Sequence, residues 1–361
     1  MKYMQNKILI FVAIILVACF SLAFTSCSNN KQNALEPGAN LQEPQDSAPY
    51  DNSNKKVVLT NKTATAEATA LYDYILSTYK TKIISGQQES TWISTDYEFD
   101  YIFEATGKYP AIRGFDFIDD DFDGVVTRAT DWAERGGIVT ICWHCSSKLD
   151  KGYNACKNSK LTAEDWEAIL TEGTQEHTEF IANMDKAGAA LARLQTAGIP
   201  VIWRPYHESN GNWFWWGRYG GDYFKRLWMM TYDYFTNDLH LDNLIWMLGF
   251  SYLGISMDDY FPGTQYFDII GADSYNVATF GAEKRLYDGV YELVGDSKPI
   301  AFHETGLIPT VEQFKNVPWA YFMTWHTTYL TEENSEEALY AIYNDPYVIT
   351  LDDLPDFYSM T

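Results

Sequence analysis

Short apolar runs recur along this chain with room for a helix between each pair. They cover residues 83–87, 111–116, 138–144, 199–207, 243–249, 267–273, 299–304 and 320–326. Most are near-continuous rather than alternating, as expected of parallel strands buried on both faces. Between them the pattern shifts to helical spacing. The stretches 179–197 and 222–237 show it best, the second carrying Phe224, Leu227, Trp228 and Thr231 on one face. Gly198 and Pro200 punctuate the exit from the first. Eight strands alternating with helices predict an α/β fold of the (β/α)8 TIM-barrel type. A doubly wound sheet is the alternative. Its first strand would open into a glycine-rich phosphate loop, and Ser85-Gly86-Gln87-Gln88 is not one.

The N-terminus follows another pattern. Lys2 and Lys7 precede an apolar stretch at 8–20, too short and wrongly flanked for an ordinary membrane span. Phe24-Thr25-Ser26-Cys27 then resembles a bacterial lipoprotein signal, cleaved before Cys27 with lipid on its sulfur. A plain secretory signal is the competing reading. Ser28 after the cysteine resembles an outer-membrane address. The expected organisation is a lipoprotein signal peptide at 1–26, a flexible tether at 27–56 rich in Asn, Gln, Ser and Pro, and one barrel domain at 57–361. The expected location is the cell envelope, anchored to the outer membrane on its periplasmic face or at the cell surface.

Composition narrows the function. A net charge of −23 argues against nucleic acid, anionic membrane surfaces and polyanionic substrates, and is compatible with a neutral polysaccharide. Nothing in the sequence points to an oligomer, and a monomer is expected. Aromatic residues make up 16% of the chain, including 12 Trp. Most should be core, but indole and phenol rings also form platforms for the apolar faces of sugars. Of five cysteines, Cys19 leaves with the signal and Cys27 carries lipid, leaving Cys142, Cys145 and Cys156. Cys142-Trp143-His144-Cys145 has CxxC spacing around a histidine. No second CxxC follows and the segment reads as a strand end, so ordinary thiols, or one disulfide to Cys156, are expected rather than a zinc or redox site.

In a barrel of this type, functional side chains collect at the C-terminal ends of the strands. The residues there are Gln87, Asp116, His144, His207, Glu208, Asp273, Tyr275, Glu304, Trp325 and His326. Two strings stand out. One runs from Val201 through Arg204-Pro205-Tyr206-His207-Glu208 to Trp213-Phe214-Trp215-Trp216-Gly217; the other is Lys298 through His303-Glu304-Thr305-Gly306. Cleavage of a glycosidic bond uses two carboxyl groups, roughly 5–5.5 Å apart in retaining enzymes and roughly 6.5–9.5 Å apart in inverting ones. Strands four and seven lie nearly opposite each other, an arrangement that favours the retaining mechanism. Partial burial beside His207 and the Trp loop, with Glu304 nearby, would keep Glu208 protonated; donors such as the Tyr275 phenol would keep Glu304 anionic. The competing structural reading is an Arg204–Glu208 ion pair in the barrel wall.

These residues resemble the signature of glycoside hydrolase family 26, the β-mannanase family. The likeness extends to Ser85-Gly86-Gln87 with Trp92, Arg113-Gly114-Phe115-Asp116, Trp143-His144, Gly271-Ala272-Asp273-Ser274-Tyr275 and Phe322-Met323-Thr324-Trp325. The resemblance implies a retaining endo-β-1,4-mannanase acting on mannan, glucomannan or galactomannan, without metal or cofactor. It implies Glu208 as acid/base and Glu304 as nucleophile. His207 would orient Glu208 and touch the sugar, Trp213 would line the cleavage site, and Tyr275 would bond the nucleophile. His144 and Trp325 would shape the pocket on the non-reducing side. His326 stands where such mannanases can carry Arg, which bears on endo against exo action. The alternatives are an exo-acting, mannobiose-releasing enzyme, a β-1,3-xylanase or mixed-linkage β-glucanase, and a glycan-binding lipoprotein without catalysis.

Overall fold

The computed structural model describes residues 58–358 apart from Leu149, Lys151 and Leu253. The signal peptide expected at 1–26, Cys27 and the tether expected at 27–56 lie outside the described residues.

The strands are β1 (Ile83–Ile84), β2 (Gly86–Gln88), β3 (Ile112–Asp116), β4 (Ile138–Trp143), β5 (Val201–Pro205), β6 (Leu244–Ser251), β7 (Ile269–Asp273), β8 (Ile300–Thr305), β9 (Phe322–Thr324) and β10 (Val348–Ile349). Strands β2 to β9 close into a barrel in chain order, every neighbouring pair parallel. Each of the eight predicted runs supplies one barrel strand, so the fold is the (β/α)8 barrel.

Two runs are trimmed. The first is split: β1 pairs in parallel with β10 outside the barrel, and only β2 enters the closed sheet. Ser85 marks the break, its Oγ donating to the Ile349 carbonyl at 2.7 Å and accepting the Ala111 N–H at 3.1 Å. Gly86 follows because β9 passes so close that a Cβ there would meet the Phe322 carbonyl oxygen at 2.7 Å. The last run shortens to β9, which leaves Trp325 and His326 beyond the strand, at the mouth of the barrel.

The two-residue period of a strand sorts the side chains. On β5, Trp203 stacks on Phe235 of the helical layer at 5.9 Å, while the next residue, Arg204, reaches Glu304 of β8 across the barrel interior. On β6, Trp246 meets Trp228 and Tyr232 of helix Gly221–Asp233. Helix Gln175–Thr196 begins where Thr174 accepts the His177 N–H at 3.1 Å, and the chain turns away at Gly198 with φ 71°. Nine of the twelve tryptophans are buried. The aromatic excess is therefore mostly core, and the remaining three, Trp92, Trp213 and Trp325, all line one cleft.

Candidate active site

Strand β5 ends on Pro205, and its paired register with β6 runs from Val201 to Trp203. Freed from the ladder, Tyr206 and Glu208 both take left-handed backbone, at φ 50° and 51°. Such conformations cost of order 1–3 kcal/mol each in a residue with a side chain, and persist where the surroundings enforce them. The enforcing bonds are present. Ser209 donates from both N–H and Oγ to the Gly249 carbonyl, each at 3.0 Å. Asn210 accepts the Ser251 N–H at 2.7 Å and donates to the Ile255 carbonyl at 2.7 Å.

The aromatic loop that follows divides its rings between two tasks. The Trp215 and Trp216 indoles donate inward, to the carbonyls of Cys145 at 2.9 Å and His207 at 2.8 Å, and are buried anchors rather than a wall of the site. Phe214 stacks on Trp216 and shows an edge to the cleft. Trp213 comes forward, its Nε1–H donating to Glu208 Oε2 at 2.5 Å.

Glu304, from β8, is held by different partners. Arg204 Nη2 donates to its Oε1 at 2.7 Å and the Tyr275 phenol to its Oε2 at 3.0 Å. Arg204 thus pairs with Glu304, and the ion pair with Glu208 considered from the sequence does not form. His207 was expected to orient Glu208; its ring instead lies against Glu304, Nε2 to Oε1 at 3.6 Å. Strand alternation alone would group Tyr206 with Arg204 and leave His207 on the outer face. The left-handed backbone at Tyr206 resets the alternation: the Tyr206 phenol turns out to Thr231 Oγ1 at 3.1 Å and His207 turns in toward Glu304, before the second left-handed residue, Glu208, redirects the chain. Both glutamates line a cleft of about 560 Å³ that also includes His144, Trp325 and His326.

The electrostatics separate the two carboxyl groups. Burial, and then the neighbouring Glu304, push Glu208 up to about 8, against the opposing Trp213 bond and the charges of His144 and Arg204. Burial also disfavours charge on Arg204, but Glu304 and its other neighbours outweigh it and hold the guanidinium charged. Burial and Glu304 push the Tyr275 phenol well up, so it stays a donor. The same two causes raise Asp273 well above its ordinary range. Burial drives His207 and His303 well below theirs. A carboxyl that keeps its proton to about 8 can deliver it to a leaving group at neutral pH. A carboxyl that accepts from a guanidinium and a phenol is suited to hold negative charge beside a reacting centre.

Other expectations were placed differently. Gln87 is fully buried, with Nε2 on the carbonyls of Gln88 and Trp325, and its neighbour Gln88 faces the cleft. Asp273 is buried beneath the cleft beside His303 and Arg204. Cys142, Cys145 and Cys156 are buried free thiols, all raised by burial, which settles the alternative of a disulfide to Cys156 in favour of ordinary thiols. Among the described residues the groups clustering with His144 within 4.8 Å are Asp116 and Cys142, so the CxxC partner Cys145 is not one of them.

Residues 60–353 match the model of Glycosyl hydrolase family 26. This chain belongs to glycoside hydrolase family 26. A mannan endo-1,4-β-mannosidase from Thermothelomyces thermophilus is 34% identical over 335 residues, covering 85% of this chain and 65% of that protein. Mannan endo-1,4-β-mannosidase A from Piromyces sp is 31% identical, covering 83% of this chain and 51% of that one. The chain thus spans between about half and two thirds of the length of these curated relatives. Among solved structures, a ruminal family 26 endo-β-1,4-mannanase superposes with a TM-score of 0.78 at 32% identity, over 86% of this chain and 73% of that one. A β-mannanase from a symbiotic protist of the termite Reticulitermes speratus, complexed with gluco-manno-oligosaccharide, gives 0.75 at 28% identity, over 83% and 98%.

In this family 26 barrel several cleft residues escaped the sequence reading. Tyr153 opens the short helix Tyr153–Asn158 and Tyr329 lies in the single turn Thr328–Thr331; both line the site from stretches that carry no motif. Glu89 is buried between two arginines: Arg113 Nη2 and Arg128 Nη2 each donate to it at 2.8 Å. Arg113 also holds the Thr95 carbonyl at 2.6 Å, so the segment after β2 is pinned at both ends. That segment carries Trp92, whose exposed ring meets His326 edge-on at 4.6 Å. The one available signal was Arg113 within the family likeness; its partner Glu89, just past β2, was not read from the sequence.

Proposed function

We propose that this chain is a retaining endo-β-1,4-mannan hydrolase, with Glu208 as acid/base and Glu304 as nucleophile. The observation that carries the reading is the inequality of the two glutamates in one cleft: Glu208 on an indole N–H with its carboxyl raised to about 8, Glu304 on a guanidinium and a phenol. In the first step a Glu304 oxygen attacks the anomeric carbon while Glu208 gives its proton to the departing glycosidic oxygen. The products are a covalent glycosyl–Glu304 ester and a Glu208 carboxylate, which the Trp213 N–H stabilises. In the second step Glu208 takes a proton from water, the water oxygen attacks the same carbon, and Glu304 leaves with the anomeric configuration retained. His144, His207 and Trp325 would bind sugar around the reacting centre. The names of the relatives support β-mannan as the substrate, and no metal or cofactor is required by this chemistry.

The sequence also supports delivery of residues 57–361 as the catalytic barrel, tethered by 27–56 to lipid on Cys27 after removal of 1–26, and held at the outer membrane. Reducing-end release from β-mannan and a time course on mannohexaose test the activity. A spread of products is expected. Mannobiose alone from the first time point would overturn endo action, and no cleavage would overturn the function. Metabolic labelling with a fatty-acid analogue tests the anchor: label that persists in Cys27→Ser would refute it.

A further inference from the structure

Asp116 closes β3, and both of its oxygens are engaged with the adjacent strand end. Oδ1 accepts the backbone N–H of His144 at 3.1 Å and that of Ile118 at 3.0 Å. Oδ2 meets His144 Nδ1 at 2.5 Å. Asp116 stands opposite Cys142 in the β3–β4 register, so strand pairing delivers the carboxylate to the residue two positions further on. The grip on both backbone and ring fixes the imidazole in place. The ring is buried, yet it lines the cleft, edge-on to His207 at 4.6 Å and facing Phe214, Tyr153 and Trp325. With Nδ1 committed to Asp116, Nε2 is the ring nitrogen available to a ligand.

We propose that Asp116 is a positioning residue that holds His144 doubly protonated, an imidazolium that donates Nε2–H to the sugar beside Glu304 and places a fixed positive charge in the cleft. The groups around the ring support this. Burial alone would lower His144, but Asp116, by its charge and its bond, and then Glu304, turn the shift upward against Arg204. Asp116 is lowered although buried, because His144 answers it. The other two histidines of the cleft go the opposite way. Burial lowers His207 well below its ordinary value and His326 to about 4, each with a contribution from the charge on His144. Cys142 and Tyr153, the remaining titratable neighbours, are raised and stay neutral. The charge on His144 also acts on Glu208, drawing its proton affinity down from where burial and Glu304 would set it. The dyad is thereby a control on the range over which the acid works.

The effect on turnover rests on the glycosidase reading; the protonation of His144 does not. The test therefore has two arms on the purified protein. In the first, histidine labelled at 13Cε1 is followed by NMR across pH 5–9, the six histidines being few enough to resolve and His144 assigned by its loss in His144→Gln. His144 should titrate above the ordinary histidine value and above the other cleft histidines, and its titration should move down in Asp116→Asn. A His144 that is neutral at pH 7 in the unmodified protein overturns the proposal, with no variant needed. In the second arm, kcat/KM on mannohexaose is measured against pH. Asp116→Asn and His144→Gln should each raise KM by roughly tenfold, as for a lost bond to a charged donor, and move the alkaline limb to higher pH. A loss of rate with the limb unmoved in both variants would mark Asp116 as merely structural and refute the charge role. The NMR result holding while unmodified protein fails to cleave any mannan would support the charged dyad and refute the glycosidase reading alone.

Discussion

The indole bond to Glu208 can be cut while an aromatic ring is kept at the site, and the outcome has a definite sign. Trp213 Nε1–H stabilises the ionised form of Glu208 and so opposes burial and Glu304; with that opposition in place the carboxyl still stands at about 8 rather than 4.5. Trp213→Phe keeps an aromatic face and removes the donor. A bond to a charged acceptor is worth about 1.5–3 kcal/mol, and one pKa unit corresponds to about 1.36 kcal/mol. The expected shift is therefore about 1–2 units upward, toward the lower figure where water replaces the lost N–H. The form that delivers a proton exists below the Glu208 pKa. The alkaline limb of kcat/KM should accordingly lie near 8 and move up in the variant, even as the absolute rate falls from lost sugar contact. Initial rates on mannohexaose from pH 5 to 10 measure this. A limb that stays in place, or moves to lower pH, would refute both the proton-donor role of Glu208 and the energetic sense of the bond.

Four other outcomes follow from the same geometry. Glu304→Gln, which leaves an acceptor for the buried Arg204 where alanine would strand it at a cost of about 3–5 kcal/mol, should abolish turnover on every substrate; Glu208→Ala should spare aryl mannosides with activated leaving groups, and equal losses on those substrates would contradict the roles. Glu208→Gln should stabilise the fold increasingly from pH 5 to pH 8, because the native carboxyl stays protonated up to about 8 while the unfolded one ionises near 4.5, so native stability falls as pH rises through that window. Thermal melts should show a difference on the order of a few degrees, and a constant difference across pH would count against the raised carboxyl. Gly249→Ala would place a Cβ 2.5 Å from His303 Nε2, and through His303 on Arg204 should cost about 1–3 kcal/mol of stability together with much of kcat; unaltered kinetics would show that Arg204 is not held from below.

The barrel was legible because strands buried on both faces leave unbroken apolar runs, as 244–251 does in β6, every residue of which is buried. The two glutamates were legible because each closes such a run beside unusual neighbours. What was hidden depends on register and partner choice. Gln87 and Gln88 differ by one step of the strand period, and only closure of the sheet decides which faces the cleft. The break at Ser85 exists because its hydroxyl reaches Ile349, 264 positions away, and β10 is two residues long, too short to form a pattern. Arg204 lies four residues before Glu208, near enough to suggest a pair, yet the inward parity of β5 sends it to Glu304, 100 positions further along. Trp213, Trp215 and Trp216 look alike in the sequence, and the left-handed turn at Glu208 sorts them into one cleft residue and two anchors.

The sealing of nine indoles in the core has an optical consequence. Collisional quenching by a neutral agent such as acrylamide can reach only Trp92, Trp213 and Trp325, all on the cleft, while the buried set emits undisturbed from an apolar interior. Iodide would be a poorer probe, repelled by a chain of charge −23. The quenchable fraction of the intrinsic emission is thus a built-in gauge of cleft occupancy, readable without a label or a substrate that turns over.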